Sequence, residues 1–229
     1  MLDELRKQVL DANLELVRRG LVLYTFGNAS GISRERGLVA IKPSGVPYDV
    51  LRPEDLVVAD LDGRIVEGAL RPSSDLPAHL VLYRSFPAIG GVAHTHSRFA
   101  ASWAQARRPI PCLGTTHADY FRGPVPVTDA LDPREIESGY EANTGEAIVR
   151  RFAGIDPLEV PAVLVAGHGP FCWGTSAGDA AHNAAILEYV AEMAYYSVTL
   201  AEAPCELHPT HLDTHFLRKH GAGAYYGQK

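Results

Sequence analysis

Two histidines stand two residues apart in Gly91-Val-Ala-His94-Thr-His96-Ser, and side chains at i and i+2 of a strand leave the same face. They can grip one ion, or they can simply hydrogen-bond as a pair. A third imidazole, His168 in Gly167-His168-Gly169-Pro170, and a carboxylate, Asp75 in Ser73-Ser74-Asp75, make a donor set that suits Zn2+ or another divalent ion such as Mn2+ or Co2+. With room for substrate oxygens, such a site acts as a Lewis acid. Other His-x-His metal patterns fit poorly. A metallo-β-lactamase-like site wants Asp-His after the pair, where Ser97 and Arg98 stand, and an amidohydrolase barrel wants a longer chain with the pair near its start.

Polar turns form a second constellation: Gly27-Asn28-Ala29-Ser30, Lys42-Pro43-Ser44-Gly45 and Ser73-Ser74. Their N–H groups, hydroxyls and amide, with the Lys42 cation, can cradle a phosphate; singly, each is ordinary turn chemistry. Asp119, in Gly114-Thr-Thr-His-Ala-Asp119, and Tyr226, in Ala224-Tyr-Tyr226-Gly227, are candidate proton carriers. A tyrosine gives up its proton near pH ~10 unless cations or a metal lower that value. Packing or a subunit contact is the alternative reading of the tyrosine pair.

The elements that must position these groups are visible in the patterning. Leu2, Leu5, Val9, Ala12 and Leu16 make the apolar stripe of a helix stopped at Gly20. Runs at Leu38–Ile41 and Leu56–Leu61 read as strands, the second joined through Asp62-Gly63 to Arg64–Val66 as a hairpin. The pattern then predicts helix over Ala78–Phe86, strand over Gly91–His96, helix over Phe99–Ala106 and Ala142–Phe152, and a buried strand over Ala162–Ala166. Ser176 and Asp179 form a capping-box signature ahead of the longest helix, which runs to about Leu200; Glu202–His208 separates it from a last helix. No Gly-rich dinucleotide fingerprint follows a strand. The expected fold is α/β: a single three-layer domain over residues 1–229 with a central, mostly antiparallel sheet flanked by helices.

Composition narrows the function classes. A chain of 229 residues, 46% of them hydrophobic and 21% charged, can bury roughly 70% of its unfolded surface. A formal net charge of −6 argues against nucleic-acid binding, which needs a basic face. Asp3, Glu4, Arg6, Lys7 and Asp11 leave no charge-free signal-like core, and no apolar run of about 18 residues suits a membrane span. Cys112, Cys172 and Cys205 are odd in number and far apart, as expected of reduced thiols in a cytoplasmic enzyme.

Taken in order, Thr25-Phe-Gly-Asn-Ala-Ser30, Ile41-Lys-Pro-Ser-Gly45, Arg71-Pro-Ser-Ser-Asp75, Gly91–Arg98, Gly114–Phe121, His168-Gly-Pro-Phe171 and Arg218-Lys-His-Gly221 through Gln228 resemble the class II aldolase/adducin family over almost the whole chain. The resemblance implies a homo-oligomer, a cyclic tetramer with interfacial active sites, acting on a small sugar phosphate. It makes Asp75, His94, His96 and His168 the metal ligands, and Gly27, Asn28, Lys42, Ser44, Gly45, Ser73 and Ser74 the substrate and phosphate pocket. It makes Asp119 and Tyr226 the acid/base pair, with Thr115, Glu141, His215 and Arg218 in support from the adjacent subunit. Phe26, Ala29 and Leu76 depart from the family's common Trp, Val and Thr. The implied reaction is the 4-epimerisation of L-ribulose 5-phosphate to D-xylulose 5-phosphate by retro-aldol cleavage and re-addition, since a carbon without an acidic hydrogen is not inverted by deprotonation. The alternatives within the family are a fuculose- or rhamnulose-phosphate-type aldolase and a non-catalytic adducin-like module.

Overall fold

The computed structural model describes residues 2–226. Helix α1 (Leu2–Arg18) buries Val9, Ala12 and Leu16 of the expected stripe and ends before Gly20, whose φ of +68° closes the turn. Seven strands follow among the helices: β1 (Gly27–Ser33), β2 (Leu38–Ile41), β3 (Val57–Asp60), β4 (Ile65–Glu67), β5 (Gly91–Thr95), β6 (Ala162–Leu164) and β7 (Pro170–Gly174). They form one sheet in the order β4-β3-β2-β1-β5-β7-β6, and every neighbouring pair is antiparallel. The remaining helices are α2 (Leu76–Ser85), α3 (Arg98–Gln105), the short α4 (Thr115–Ala118), α5 (Pro133–Arg151), α6 (Ala177–Leu200) and α7 (Pro209–His220).

Alternation along the strands feeds a core on each side of the sheet. On one face Ala29, Ala40, Ala93 and Cys172 meet Val9 and Leu16 of α1, Trp103 of α3 and Leu187 of α6. On the other, Val39, Val92, Phe171 and Trp173 meet Leu82 and Tyr83 of α2 and Ile148 and Phe152 of α5. The result is the expected three-layer α/β domain.

Two strands were not legible. The segment Gly27-Asn28-Ala29-Ser30, expected as a turn, is the start of β1, a central strand paired on both sides. Its small residues reflect close packing: a Cβ on Gly31 would stand 2.9 Å from Val9 Cγ2. Strand β2 pairs with β1 only from Ser30↔Ile41 onward. At Ala29 its place is taken by the buried side chain of Asn13, which accepts from the Ala29 N–H and donates to the Ala29 carbonyl, both at 2.9 Å. Strand β7, also unexpected, begins at Pro170 opposite Leu164.

Helix α5 starts at Pro133, nine residues before the expected Ala142, from a capping box made by Asp132 and Glu135. At α6 only half of the expected box forms. Ser176 accepts from the Asp179 N–H, while the Asp179 carboxylate takes the Thr175 hydroxyl.

Antiparallel pairing brings the functional segments to one end of the sheet. Gly27 and Asn28 at the start of β1 lie opposite Thr95 and His94 at the end of β5, and His94 lies opposite Phe171 at the start of β7. Lys42 leaves the end of β2 at the same edge.

Candidate metal centre

The three histidines converge. The Nε2 atoms of His94 and His96 are 3.1 Å apart and those of His96 and His168 are 3.2 Å apart. Among the described residues these three imidazoles form the cluster whose donor atoms all lie within 4.8 Å of one another. Tetrahedral coordination at 2.0–2.1 Å separates neighbouring nitrogens by about 3.3 Å, so the spacing fits a zinc-sized ion.

Orientation and protonation fit as well. His94 donates its Nδ1–H to the Pro170 carbonyl at 2.9 Å, which leaves the Nε2 lone pair facing the other rings. Phe171 stacks on the His94 ring with centroids 4.2 Å apart. Burial lowers the pKa of His94, and burial followed by the neighbouring His94 and His96 lowers that of His168 to about 4. Both rings are therefore neutral near pH 7, as ligands must be.

Asp75 lines the same cleft but stands outside the tight cluster. Asn28 Nδ2 donates to Asp75 Oδ2 at 2.6 Å, and the Ser73 hydroxyl lies 3.4 Å from the same oxygen. Burial pushes this carboxyl up, but His94, His79 and the Asn28 amide together with His168 outweigh it and hold it below its ordinary value. Behind it the fully buried His79 shares the Ser30 hydroxyl (2.7 Å) with Tyr83 (2.8 Å), and burial drives its pKa down to about 3.

The cleft has a volume of about 360 Å³ and brings together Gly27, Asn28, Lys42, Ser44, Gly45, Ser73 and Ser74 with the histidines. The two phosphate-type turns are tied to each other: Ser44 N–H donates to the Arg71 carbonyl at 2.9 Å, and Ser73 N–H to the Lys42 carbonyl at 3.0 Å. Lys42 is 2% exposed, its ammonium lies over the Tyr48 ring, and burial lowers its pKa to about 8. Gly27 is required at its position, because its φ is +115° and a Cβ would meet the His94 carbonyl oxygen at 2.9 Å.

The other expected residues gather elsewhere in the chain. Asp119, at the end of α4, accepts from Arg218 Nη2 at 2.9 Å and from His215 Nδ1 at 3.0 Å, with Lys219 Nζ at 3.5 Å. Arg218 and Lys219 in turn lie over the Tyr226 ring, at 4.8 and 4.7 Å. Thr115 sits one turn before Asp119, whose N–H it receives at 2.9 Å. Burial raises the Asp119 carboxyl, but Arg218, His215 and Lys219 outweigh this and leave it below its ordinary value, so it is ionised. None of Asp119, Thr115, His215, Arg218 and Tyr226 lines the histidine cleft of its own chain. Gly227 and Gln228 of the expected tail lie outside the described residues. Glu141, expected from a neighbouring subunit, instead lines the cleft of its own chain.

Tyr140 was missed. Its hydroxyl is 3.1 Å from His168 Nδ1, and it lines the cleft beside Glu141. The available signal was the Asp132–Glu135 capping pair, which marks a helix that begins before Gly139.

Comparison with known proteins agrees with this geometry. Residues 7–195 match the family described as Class II Aldolase and Adducin N-terminal domain. Curated relatives include the L-ribulose-5-phosphate 4-epimerases UlaF of Salmonella paratyphi C (strain RKS4594) and Salmonella typhi, each 51% identical over 228 residues and covered in full, as is this chain. Among solved structures, an L-fuculose 1-phosphate aldolase superposes with a TM-score of 0.79 at 26% identity, over 93% of this chain and 94% of the other. The L-fuculose-1-phosphate aldolase of Thermus thermophilus does so with a TM-score of 0.69 at 26% identity, over 89% and 100%. With three imidazoles converging beside a polar cleft, and with sequence similarity running the length of the chain, this protein belongs to the class II aldolase and adducin family, whose aldolases depend on a divalent metal.

Proposed function

We propose that the chain is an L-ribulose-5-phosphate 4-epimerase, interconverting L-ribulose 5-phosphate and D-xylulose 5-phosphate. The observation that carries this reading is the 51% identity over full length to curated epimerases, in a chain that keeps the converging histidines. In this reading His94, His96 and His168 hold Zn2+, or Mn2+ or Co2+ in its place, with Asp75 beside them. When bound, the ion supplies Lewis-acid polarisation of the substrate ketone.

The chain's own residues do the rest. The turns carrying Ser44, Gly45, Ser73 and Ser74 bind the phosphate through the N–H groups of Gly45 and Ser74 and through hydroxyls, and Lys42 supplies a cation at their base. Gly27 lets the backbone pass close to the substrate, while Asn28 fixes the Asp75 carboxylate. One proton carrier removes the C4 hydroxyl proton and the C3–C4 bond breaks, giving the enediolate of dihydroxyacetone and glycolaldehyde phosphate. The aldehyde rotates in the phosphate grip, the bond re-forms on its other face, and the second carrier protonates the new alkoxide.

Asp119 and Tyr226 are assigned these two roles, with Thr115, His215 and Arg218 holding them. Their separation from the cleft of their own chain supports a cyclic assembly, a homotetramer, in which they reach the cleft of a neighbouring subunit. Glu141 joins the substrate pocket from the cleft's own chain. The buried, unpaired thiols of Cys112 and Cys172 support a reducing, cytoplasmic setting, and no helix of the described residues is long and apolar enough to cross a membrane.

The test is incubation of metal-loaded protein with L-ribulose 5-phosphate, following xylulose 5-phosphate and free glycolaldehyde phosphate in parallel. Xylulose 5-phosphate accumulates without free aldehyde if the reading is right. Accumulating aldehyde moves the assignment to an aldolase, and no turnover with any of the three metals moves it to a structural module.

A further inference from the structure

Of the three converging rings, two have their outer nitrogen anchored, and in different ways. His94 donates to a main-chain carbonyl, that of Pro170, which no substitution removes. His168 sits on the turn between β6 and β7, and its Nδ1 lies 3.1 Å from the hydroxyl of Tyr140, which is on helix α5, 28 positions away. The rings of Tyr140 and His168 are 5.9 Å apart, tilted by 35°.

Tyr140 reaches this place because α5 is broken just before it. Gly139 has φ +149° and ψ 70° within an otherwise helical run, a conformation that L side chains rarely adopt. The break is closed by side chains: Asn143 Nδ2 donates to the Glu135 carbonyl at 2.6 Å, and Thr144 Oγ1 to the Tyr140 carbonyl at 2.8 Å. It is therefore a built kink, and it delivers Tyr140 and Glu141 to the cleft wall.

We infer that Tyr140 is a positioning residue for the metal centre: its hydroxyl accepts the Nδ1–H of His168, which fixes the ring's tautomer and turns Nε2 toward His94 and His96. This rests on the metal reading above and extends it to a residue outside the ligand set. Outer hydrogen bonds of this kind set ligand orientation and basicity, and their loss weakens metal binding by roughly 10–100-fold.

The experiment compares zinc affinity of the full chain, Tyr140→Phe and His168→Ala, by competition with a chromophoric chelator, together with the visible ligand-field bands of the cobalt-loaded forms. Phenylalanine keeps the ring and removes the oxygen, and the Thr144 bond to the backbone is untouched. The expected result is near-complete loss of zinc in His168→Ala and a roughly 10–100-fold weaker affinity with altered cobalt bands in Tyr140→Phe. If His168→Ala loses zinc while Tyr140→Phe matches the parent in affinity and spectrum, the positioning role is overturned and the metal reading stands. If His168→Ala keeps zinc at parental affinity, the metal reading falls and the role of Tyr140 falls with it.

Discussion

Replacing Asn13 by alanine should be among the most damaging changes outside the cleft. Asn13 is fully buried, and its amide serves Ala29 on both sides, taking the N–H and giving to the carbonyl at 2.9 Å each, with a further bond to the Val9 carbonyl at 2.7 Å. Truncation leaves a buried donor and a buried acceptor of Ala29 without partners, at about 1–3 kcal/mol each. The expected destabilisation is therefore about 4 kcal/mol, which for a chain of this size lowers Tm by about 8–16 °C. Ala29 lies between Asn28, which holds Asp75, and Ser30, which holds His79, so turnover should fall with stability.

Urea unfolding of the parent and the Asn13→Ala and Asn13→Asp variants measures the effect. A carboxylate at this position keeps the acceptor but faces the carbonyls of Val9 and Ala29, so its folded pKa is raised. Stability of the aspartate variant is then fully present below the unfolded value of about 3.9 and lost as pH rises through the folded value. A loss below about 1 kcal/mol in Asn13→Ala, or an aspartate variant no weaker at pH 7 than at pH 4, would refute the view that Asn13 substitutes for a strand.

Other outcomes follow from the site and its surroundings. His117 is buried, donates toward the Gly123 carbonyl and has its pKa lowered by burial to about 4. Its contribution is present above about pH 6.5 and lost as pH falls toward 4, an effect of about 3 kcal/mol, and His117→Gln should flatten the urea midpoint over that window. Tyr226→Phe should lower kcat by about 100-fold with bound metal per chain unchanged; unchanged turnover would remove Tyr226 from the proton-carrier pair. Lys42→Met should raise KM for the sugar phosphate by about 10–100-fold, as loss of a hydrogen bond to a charged group does, with a smaller change in kcat, as steady-state kinetics would show.

Periodicity was enough for most of the helices and for β2, β3 and β5, because each carries its own apolar pattern. Strand β1 was hidden by its composition: Gly-Asn and Ser read as turn residues, yet glycine stands at Gly31 because α1 and α6 close on the sheet there. Strand β7 was hidden by Pro170 at its first position. The histidine cluster was legible because His94 and His96 share a strand face. The distance of Asp119 from that cluster was not, since no local pattern records which ends of α4 and α7 meet. Tyr140 was lost with the start of α5: the Asp132–Glu135 capping box marked it, but the glycine inside the helix masked the period.

The position of β5 sets an order in which the molecule should come apart. His94 belongs to a strand hydrogen-bonded on both sides, by β1 and β7, so its amide should exchange with solvent only when the whole sheet opens. Helix α7, which carries His215 and Arg218, fully buries only Phe216 and is held to Asp119 and Arg122 by ion pairs. In mild denaturant or high salt α7 should detach first, while the histidines remain assembled, so the chain passes through a form that has kept its imidazole cluster and released Asp119 from His215 and Arg218.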